Sequence, residues 1–285
     1  MTLTSARVST VVGAAAAELA AAGVASPWHD AEELAAHVLG VPRSRLPLVG
    51  GLTAGQLARF GEMVGQRASR VPLQHLTGVA GFRRLELAVG PGVFVPRPET
   101  ELLAGWAVEA LARMDAPVVV DLCTGSGAVA LAVAQEVPAA TVHAVERESL
   151  ALAWAERNVA ALGLPVTLHR GDVADPALLA DLAGAVDLVT ANPPYVPDGA
   201  RVEPEVAEHD PPAALWGGHD GLDVVRAVER AAARLLRPGG LAAVEHADAQ
   251  GASVPAAFAR TGRWTGVTDH PDLAARPRFT TARRA

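Results

Sequence analysis

The residues best suited to chemistry form the run Asn192-Pro193-Pro194-Tyr195, which directly follows an apolar segment, 186–191, that predicts a buried strand. The Asn192 side-chain oxygen and the Pro193 carbonyl oxygen can each accept one N–H of a planar NH2 group. Prolines fix φ and bring no N–H of their own, so they aim the carbonyl without adding a competing donor. Tyr195 offers a flat face. This combination suits methylation of a conjugated nitrogen, because its bonds to both acceptors strengthen as it attacks.

A second cluster of candidate residues lies in a glycine-rich turn. The segment 118–122 reads as a strand, and Gly125 and Gly127 follow it before an Ala-rich helical stretch. Glycines let a ligand approach the backbone, and the helix N-terminus offers unpaired N–H groups. Glu146, about 20 residues further on, can accept both hydroxyls of a ribose. The pattern predicts an adenosine-containing cofactor and leaves open whether it is NAD or S-adenosylmethionine.

Composition limits the class of protein that can hold these motifs. The chain has 285 residues, 50% of them hydrophobic but only 4% aromatic, which predicts a folded protein with an aliphatic core. Its formal charge of −7 argues against non-specific nucleic-acid binding. A single cysteine, Cys123, excludes an intramolecular disulfide and a cysteine-based zinc site. We expect a cytoplasmic monomer without a metal, a membrane segment or a nucleic-acid partner.

The elements that must position these residues fall into three regions. Residues 1–70 show helical periodicity only, with a capping box at 53–56, and predict a small all-α domain. Residues 71–98 contain short apolar runs and a Gly-Pro-Gly turn at 90–92, which predicts a β-hairpin linker. Strands and helices then alternate through 99–285, which predicts a doubly wound, mostly parallel sheet ending in a strand pair.

These motifs together resemble the HemK/PrmC family, the S-adenosylmethionine-dependent methyltransferases of glutamine in class 1 peptide chain release factors. The sequence PRPETE at 96–101 is similar to the family's PRP(D/E)TE, DLCTGSG at 121–127 to its cofactor loop, and NPPY at 192–195 to its substrate loop. The resemblance covers nearly the whole chain. It implies an α/β fold: a Rossmann-like class I methyltransferase domain with an antiparallel C-terminal strand, preceded by a small all-α domain and a β-hairpin linker.

The resemblance also implies a role for each matched position. The expected cofactor-binding residues are Asp121, Cys123, Thr124, Gly125, Ser126, Gly127, Glu146, Asp172, Val173 and Asn192. The expected substrate-binding residues are Asn192, Pro193, Pro194, Tyr195 and Arg97, and those expected to act in catalysis are Asn192, Pro193 and Tyr195. Arg97 is equally consistent with substrate contact and with helix capping. Glu245 and His246 resemble an acid–His pair at the end of the family's fifth strand, and we interpret them as structural.

Two positions depart from the family pattern, and several functions remain open. Cys123 replaces the usual glycine, which requires a backbone angle that a side chain tolerates, and Val173 stands where a tryptophan often stacks on adenine. The expected substrate is the glutamine of the release factor's Gly-Gly-Gln motif, docked by residues 1–70. The alternatives are a ribosomal-protein glutamine methyltransferase, an adenine-N6 DNA methyltransferase, an NAD-dependent oxidoreductase and a non-catalytic cofactor-sensing module.

Overall fold

The computed structural model describes residues 7–285, which divide into two compact units. The first unit contains the described residues up to Val79 together with Val202–His209. The second contains Ala80–Arg201 and Asp210–Ala285. Nothing in the sequence predicted that a short segment beyond the NPPY run belongs to the helical unit.

The first unit is helical, with an aliphatic core. Its first elements are α1 (Val8–Ala21), α2 (Pro27–Leu39), a 3-10 turn (Arg43–Leu48), α3 (Ala54–Ala68) and α4 (Leu73–Thr77). The predicted capping box at the start of α3 is confirmed. The Gln56 backbone N–H donates to Thr53 Oγ1 at 3.4 Å, and the Thr53 backbone N–H donates to Gln56 Oε1 at 3.0 Å. These bonds satisfy backbone donors that a helix N-terminus leaves without partners.

A two-stranded sheet follows, formed by β1 (Val79–Phe82) and β2 (Leu85–Ala88). The chain reverses between the two strands at Arg83, whose φ of +53° is left-handed. The predicted Gly-Pro-Gly turn therefore does not join these strands; it follows β2. The first residue of this turn, Gly90, packs against Trp154 too closely for a side chain, because a Cβ there would lie 2.6 Å from the Trp154 ring.

The main sheet has seven strands in the order β5-β4-β3-β6-β7-β9-β8. The strands are β3 (Val118–Leu122), β4 (Thr141–Glu146), β5 (Val166–Arg170), β6 (Val186–Ala191), β7 (Leu236–Glu245), β8 (Trp264–Pro271) and β9 (Pro277–Arg284). Strands β3 to β7 pair in parallel, whereas β9 pairs antiparallel with both β7 and β8. The predicted fold class is confirmed.

The second unit also contains the helices α5 (Thr100–Leu111), α6 (Ala128–Glu136), α7 (Ser149–Leu162), α9 (Pro212–Leu215), α10 (Asp223–Leu235) and α11 (Ser253–Ala259), whereas α8 (Pro204–His209) belongs to the helical unit. One core includes apolar residues of α5 and α6, and a second core includes residues of α10 and α11. Because β3 to β7 are parallel neighbours, their carboxyl ends share one edge of the sheet. That edge carries every predicted motif that follows a strand.

Helix α8 is joined to the helical unit by a buried arginine. Arg67 of α3 donates to Asp30 of α2 at 2.7 Å and to Glu205 of α8 at 2.8 Å. All three side chains are largely buried, so each charge depends on its partner. Within residues 7–285, no helix combines the length and the apolar character needed to cross a membrane.

Candidate active site

The cofactor loop, residues 123–127, connects β3 to α6 through left-handed backbone conformations. Gly127 has a φ of +86° and is the N-cap of α6, and Cys123 has a φ of +59°. Such an angle costs a residue with a Cβ about 1–2 kcal/mol, so the cysteine is tolerated at a position where glycine is the easier choice. Burial raises the pKa of the Cys123 thiol, which therefore stays protonated. The Thr124 backbone N–H donates to the Val145 carbonyl oxygen at 3.0 Å and ties the loop to β4.

Glu146, at the end of β4, is held by three backbone N–H groups. Gly125 donates to its Oε2 at 2.9 Å, and Arg147 and Glu148 donate to its Oε1 at 2.8 and 2.9 Å. These donors fix the carboxylate beside the cofactor loop. Since two carboxylate oxygens offer about four acceptor positions, capacity remains for a ribose hydroxyl. The donor set thus fits the adenosine part of a cofactor, and the structure brings Gly125 and Glu146 together as the sequence predicted.

Asp121 lies beneath the cofactor loop and is only 2% exposed. Its Oδ2 accepts from the Thr124 hydroxyl at 2.6 Å, and its Oδ1 accepts from the Thr190 hydroxyl of β6 at 2.7 Å. Burial raises the pKa of Asp121 to about 6, although both hydroxyls oppose the shift. The carboxyl therefore connects the cofactor loop to β6, and its predicted contact with the cofactor stays a prediction.

Asp172 and Val173, predicted to lie beside adenine, follow β5 at the same edge of the sheet. Asp172 is ion-paired with Arg147 at 3.5 Å and accepts from the Ala174 backbone N–H at 2.8 Å. Val173 is partly buried against the core. The remaining loop residue, Ser126, is 2% exposed, and its carbonyl oxygen accepts from Asn158 at 2.9 Å.

The acceptor loop, residues 192–195, begins where β6 ends. Asn192 is half-buried, and its Nδ2 donates to the Thr100 hydroxyl oxygen at 3.1 Å. In the part of the chain that the structure describes, neither Asn192 Oδ1 nor the Pro193 carbonyl oxygen accepts a hydrogen bond. These are the two oxygens that the sequence predicted as acceptors for an NH2 group. These two adjacent oxygens therefore lack hydrogen-bond donors within residues 7–285, on a half-buried Asn192 and a buried Pro193.

Tyr195, at the other end of the acceptor loop, reaches toward Glu245. Its hydroxyl donates to Glu245 Oε1 at 3.4 Å, and burial raises the pKa of the phenol. Glu245 is 1% exposed, and burial raises its pKa to about 7. The neighbouring His246 is fully buried and lies 2.9 Å from Asp269, with its pKa lowered by burial. The acid–His pair thus lies in the interior, behind the acceptor loop.

The sequence interpretation missed the residues that support the backbone of the acceptor loop. The support segment, residues 217–221, packs so closely that a Cβ on Gly217 would lie 2.7 Å from the Pro194 carbonyl oxygen. A Cβ on Gly221 would lie 2.3 Å from the Tyr195 carbonyl oxygen, to which Gln250 Nε2 donates at 2.9 Å. The three glycines within 217–221 were the available signal, because clustered glycines mark close backbone approach.

Arg97, predicted to contact substrate or to cap a helix, is engaged within the second unit. It donates to Asp210 Oδ2 at 2.6 Å, and its guanidinium stands over the Phe94 ring at 4.8 Å. The side chain remains 30% exposed, so its predicted contact with substrate stays a prediction.

Known families and proteins match both parts of the chain. The PrmC N-terminal domain family matches residues 11–78, and the methyltransferase small domain family matches residues 85–209. A solved structure, the Thermus thermophilus 16S rRNA N2 G1207 methyltransferase in complex with AdoMet and guanosine, aligns with a TM-score of 0.53 and 22% identity. The alignment covers 73% of this chain and 50% of that one, and it supports the fold alone.

Curated relatives are much more similar in sequence. A 4-amino-L-phenylalanine/4-methylamino-L-phenylalanine methyltransferase of Streptomyces pristinaespiralis is 45% identical, over 85% of this chain and 83% of that protein. A release factor glutamine methyltransferase of Streptomyces coelicolor is 55% identical, over 96% of this chain and 97% of that protein. With both domain families matched in order and this identity over nearly the full length, the chain belongs to the release factor glutamine methyltransferase family.

Proposed function

We propose that the chain methylates the side-chain amide nitrogen, N5, of the glutamine in the Gly-Gly-Gln motif of class 1 peptide chain release factors. The observation that carries this proposal is the pair of available acceptors, Asn192 Oδ1 and the Pro193 carbonyl oxygen, at the edge of the sheet that holds the cofactor loop. A primary amide has two N–H groups in one plane, so two adjacent acceptors match it. The family of the chain points to the same chemistry.

The cofactor is S-adenosylmethionine, which when bound supplies an electrophilic methyl group that leaves sulfur as the nitrogen attacks in line. Glu146 would hold the ribose through the carboxylate that the Gly125 N–H orients. Residues 123–127 would surround the methionine end, and Asp172 and Val173 would lie beside the adenine. The thiol of Cys123 takes no part as a nucleophile, because its raised pKa keeps it protonated.

The protein's main task is to make a poor nucleophile react. An amide nitrogen is weakly nucleophilic because its lone pair is delocalised into the carbonyl. As the N–C bond forms, positive charge grows on nitrogen and the N–H bonds become more acidic. Asn192 Oδ1 and the Pro193 oxygen then bind more strongly in the transition state than in the ground state, which lowers the barrier. Tyr195 lies against the flat face of the amide, and the surplus proton leaves to water.

The helical unit has a proposed role in docking the protein substrate. It matches the PrmC N-terminal domain family, and it carries none of the residues proposed for cofactor binding or methyl transfer. Docking remote from the reacting amide predicts that a whole release factor is a far better substrate than a short Gly-Gly-Gln peptide. Equal kcat/KM for the peptide and the whole factor would contradict this role. We place the reaction in the cytoplasm, where release factors meet ribosomes.

A second candidate function is methylation of a small aromatic amine, because a relative named for 4-amino-L-phenylalanine is 45% identical. An aniline NH2 is also flat and conjugated, and both of its N–H groups fit the same two acceptors. The acceptor loop alone therefore does not distinguish the two substrates. Preference for a whole protein over a small molecule separates them.

The deciding experiment offers labelled S-adenosylmethionine together with purified release factor, ribosomal protein or 4-amino-L-phenylalanine in parallel. We expect a single methyl group on the Gly-Gly-Gln peptide, located by mass spectrometry. A release factor whose motif glutamine is replaced by glutamate serves as the control and should remain unlabelled. Labelling of only the small amine or only the ribosomal protein would replace this proposal with the corresponding alternative.

A further inference from the structure

A chain of polar side chains runs behind the acceptor loop. Asn192 Nδ2 donates to Thr100 Oγ1 at 3.1 Å. The Thr100 hydroxyl in turn acts on the Glu245 carboxyl, whose pKa it lowers. Glu245 also accepts from the Tyr195 hydroxyl at 3.4 Å. Thr100 is 3% exposed and Glu245 is 1% exposed, so water does not readily replace these partners. Both ends of the acceptor loop thus converge on one buried carboxyl.

The single proton of the Thr100 hydroxyl gives this chain a direction. A carboxylate has no proton and only accepts, so a hydrogen bond between this pair is donated by the Thr100 O–H. The hydroxyl then presents a lone pair, and not a proton, to Asn192. A lone pair binds the Asn192 NH2 group and not its oxygen. The flipped carboxamide, with Oδ1 toward Thr100, would set two acceptors against each other.

We propose that Thr100 and Glu245 are positioning residues that hold the Asn192 carboxamide with Oδ1 facing the methyl-accepting nitrogen. This inference rests on the proposed function, in which Oδ1 accepts one substrate N–H. Neither residue touches substrate; each acts through Asn192. The PRPETE motif thereby gains a role, because its threonine begins α5 and stands directly behind the acceptor loop.

The groups around Glu245 set the pH above which it is a carboxylate. The orientation of the Thr100 hydroxyl described above requires this ionised form. Burial and Glu99 raise its pKa, while Thr100, Arg278 and Tyr195 lower it, with a result of about 7. The carboxylate is therefore the main form at about pH 8, and assays belong there. At lower pH a protonated Glu245 donates to the Thr100 oxygen, and the hydroxyl proton is then free to bind the flipped amide oxygen.

The test compares Thr100→Val, which keeps the shape and removes the hydroxyl, with Thr100→Ser, which keeps the hydroxyl. We expect Thr100→Val to lower kcat on release factor by about tenfold, the effect of one hydrogen bond, with KM and cofactor affinity unchanged. Thr100→Ser should retain most of the parental kcat. Thr281→Val is the matched control, because Thr281 is also a buried threonine. Its hydroxyl bonds His270 at a distance of 2.8 Å, and this bond lies away from the acceptor loop. Its kcat should equal the parental value.

A double-mutant cycle separates positioning from a merely structural role. In the Asn192→Ala background Thr100→Val has no carboxamide to orient, so it should lower kcat no further. A full additional loss, or a parental kcat in Thr100→Val alone, would overturn the inference. Thr100→Ala carries the same expectation and replaces the valine variant if that variant does not fold. A parent inactive toward release factor but active on 4-amino-L-phenylalanine would refute only the proposed substrate, and the cycle would then be measured with that amine. A parent inactive toward both would overturn the proposed function and this inference together.

Discussion

The carboxyl ends of β3 and β6 are neighbours in the sheet, yet the loops that follow them are held in different ways. The cofactor loop is held by residues that are close to it in the sequence: the hydrogen bond between Gly125 and Glu146 joins residues 21 positions apart. The acceptor loop is held by residues that are distant in the sequence: the hydrogen bond between Asn192 and Thr100 joins residues 92 positions apart. The Gly125–Glu146 bond thus lies within one β-α-β segment, whereas the Asn192–Thr100 bond joins the acceptor loop to a distant part of the domain.

This difference predicts different readouts for substitutions at the two loops. Changes near the cofactor loop should weaken binding of S-adenosylmethionine. Changes in the acceptor loop or its supports should lower kcat and leave cofactor affinity nearly unchanged, because they alter how the substrate amide is held. Calorimetry with cofactor and steady-state kinetics with release factor measure the two effects separately.

The largest effect is expected for Asn192→Ala, which removes one of the two proposed amide acceptors. Loss of one preorganised polar contact to the transition state should lower kcat by about 10²–10³. Cofactor affinity should fall much less. Retention of near-parental kcat in a folded, cofactor-binding Asn192→Ala protein would refute the role of the acceptor loop.

Gly221→Ala is expected to come next, because it displaces the acceptor loop without altering any of its residues. The new Cβ would lie 2.3 Å from the Tyr195 carbonyl oxygen at a φ of +73°, so the loop must move. A displacement approaching 1 Å costs about 10² in rate. Gly199→Ala is the matched control: its φ is +76°, but among the described residues no atom outside its chain neighbours lies within 4 Å of the added Cβ. If both variants lost kcat to a similar extent, backbone strain would explain the effect. The proposed role of the support segment in positioning the acceptor loop would then be wrong.

A smaller effect, on the other readout, is expected for Glu146→Gln. The neutral amide accepts the Gly125 N–H more weakly, and a ribose hydroxyl loses a charged partner, so cofactor affinity should fall about tenfold. At saturating cofactor kcat should stay near the parental value. Glu148→Gln is the control, since that neighbouring side chain is 48% exposed and, among residues 7–285, bonds only Arg147. Unchanged cofactor affinity in Glu146→Gln would contradict the proposed ribose contact.

The comparison also explains what the sequence was able to predict. Strands β3 to β6 occur at the predicted residues, because each is a short segment with apolar or alternating residues between turn formers. The cofactor loop and Glu146 were predicted as a pair, since their separation along the chain is nearly fixed within a βα unit. NPPY was predicted as a motif, but its supports were not. Thr100 was noticed only as part of a matching motif, and no local pattern links it to Asn192. Helices α8 and α9 are too short for helical periodicity to reveal.

The last expected effect is on stability, and it compares the buried carboxyl behind each loop. Burial raises the pKa of Glu245 from 4.5 to about 7 and that of Asp121 from 3.8 to about 6. The folded protein therefore keeps these protons to higher pH than the unfolded chain, and the two groups make stability fall as pH rises until both are ionised. Glu245→Gln never ionises, so the parent should lose stability relative to this variant between about pH 4.5 and about pH 7, with a constant difference above that range. Urea denaturation of both proteins from about pH 5 to about pH 8 measures the difference. The contribution of Asp121 is common to both proteins and cancels. A difference independent of pH would mean that Glu245 is already ionised at low pH, which would place its carboxyl in a more solvated or better-paired environment than the interior behind the acceptor loop.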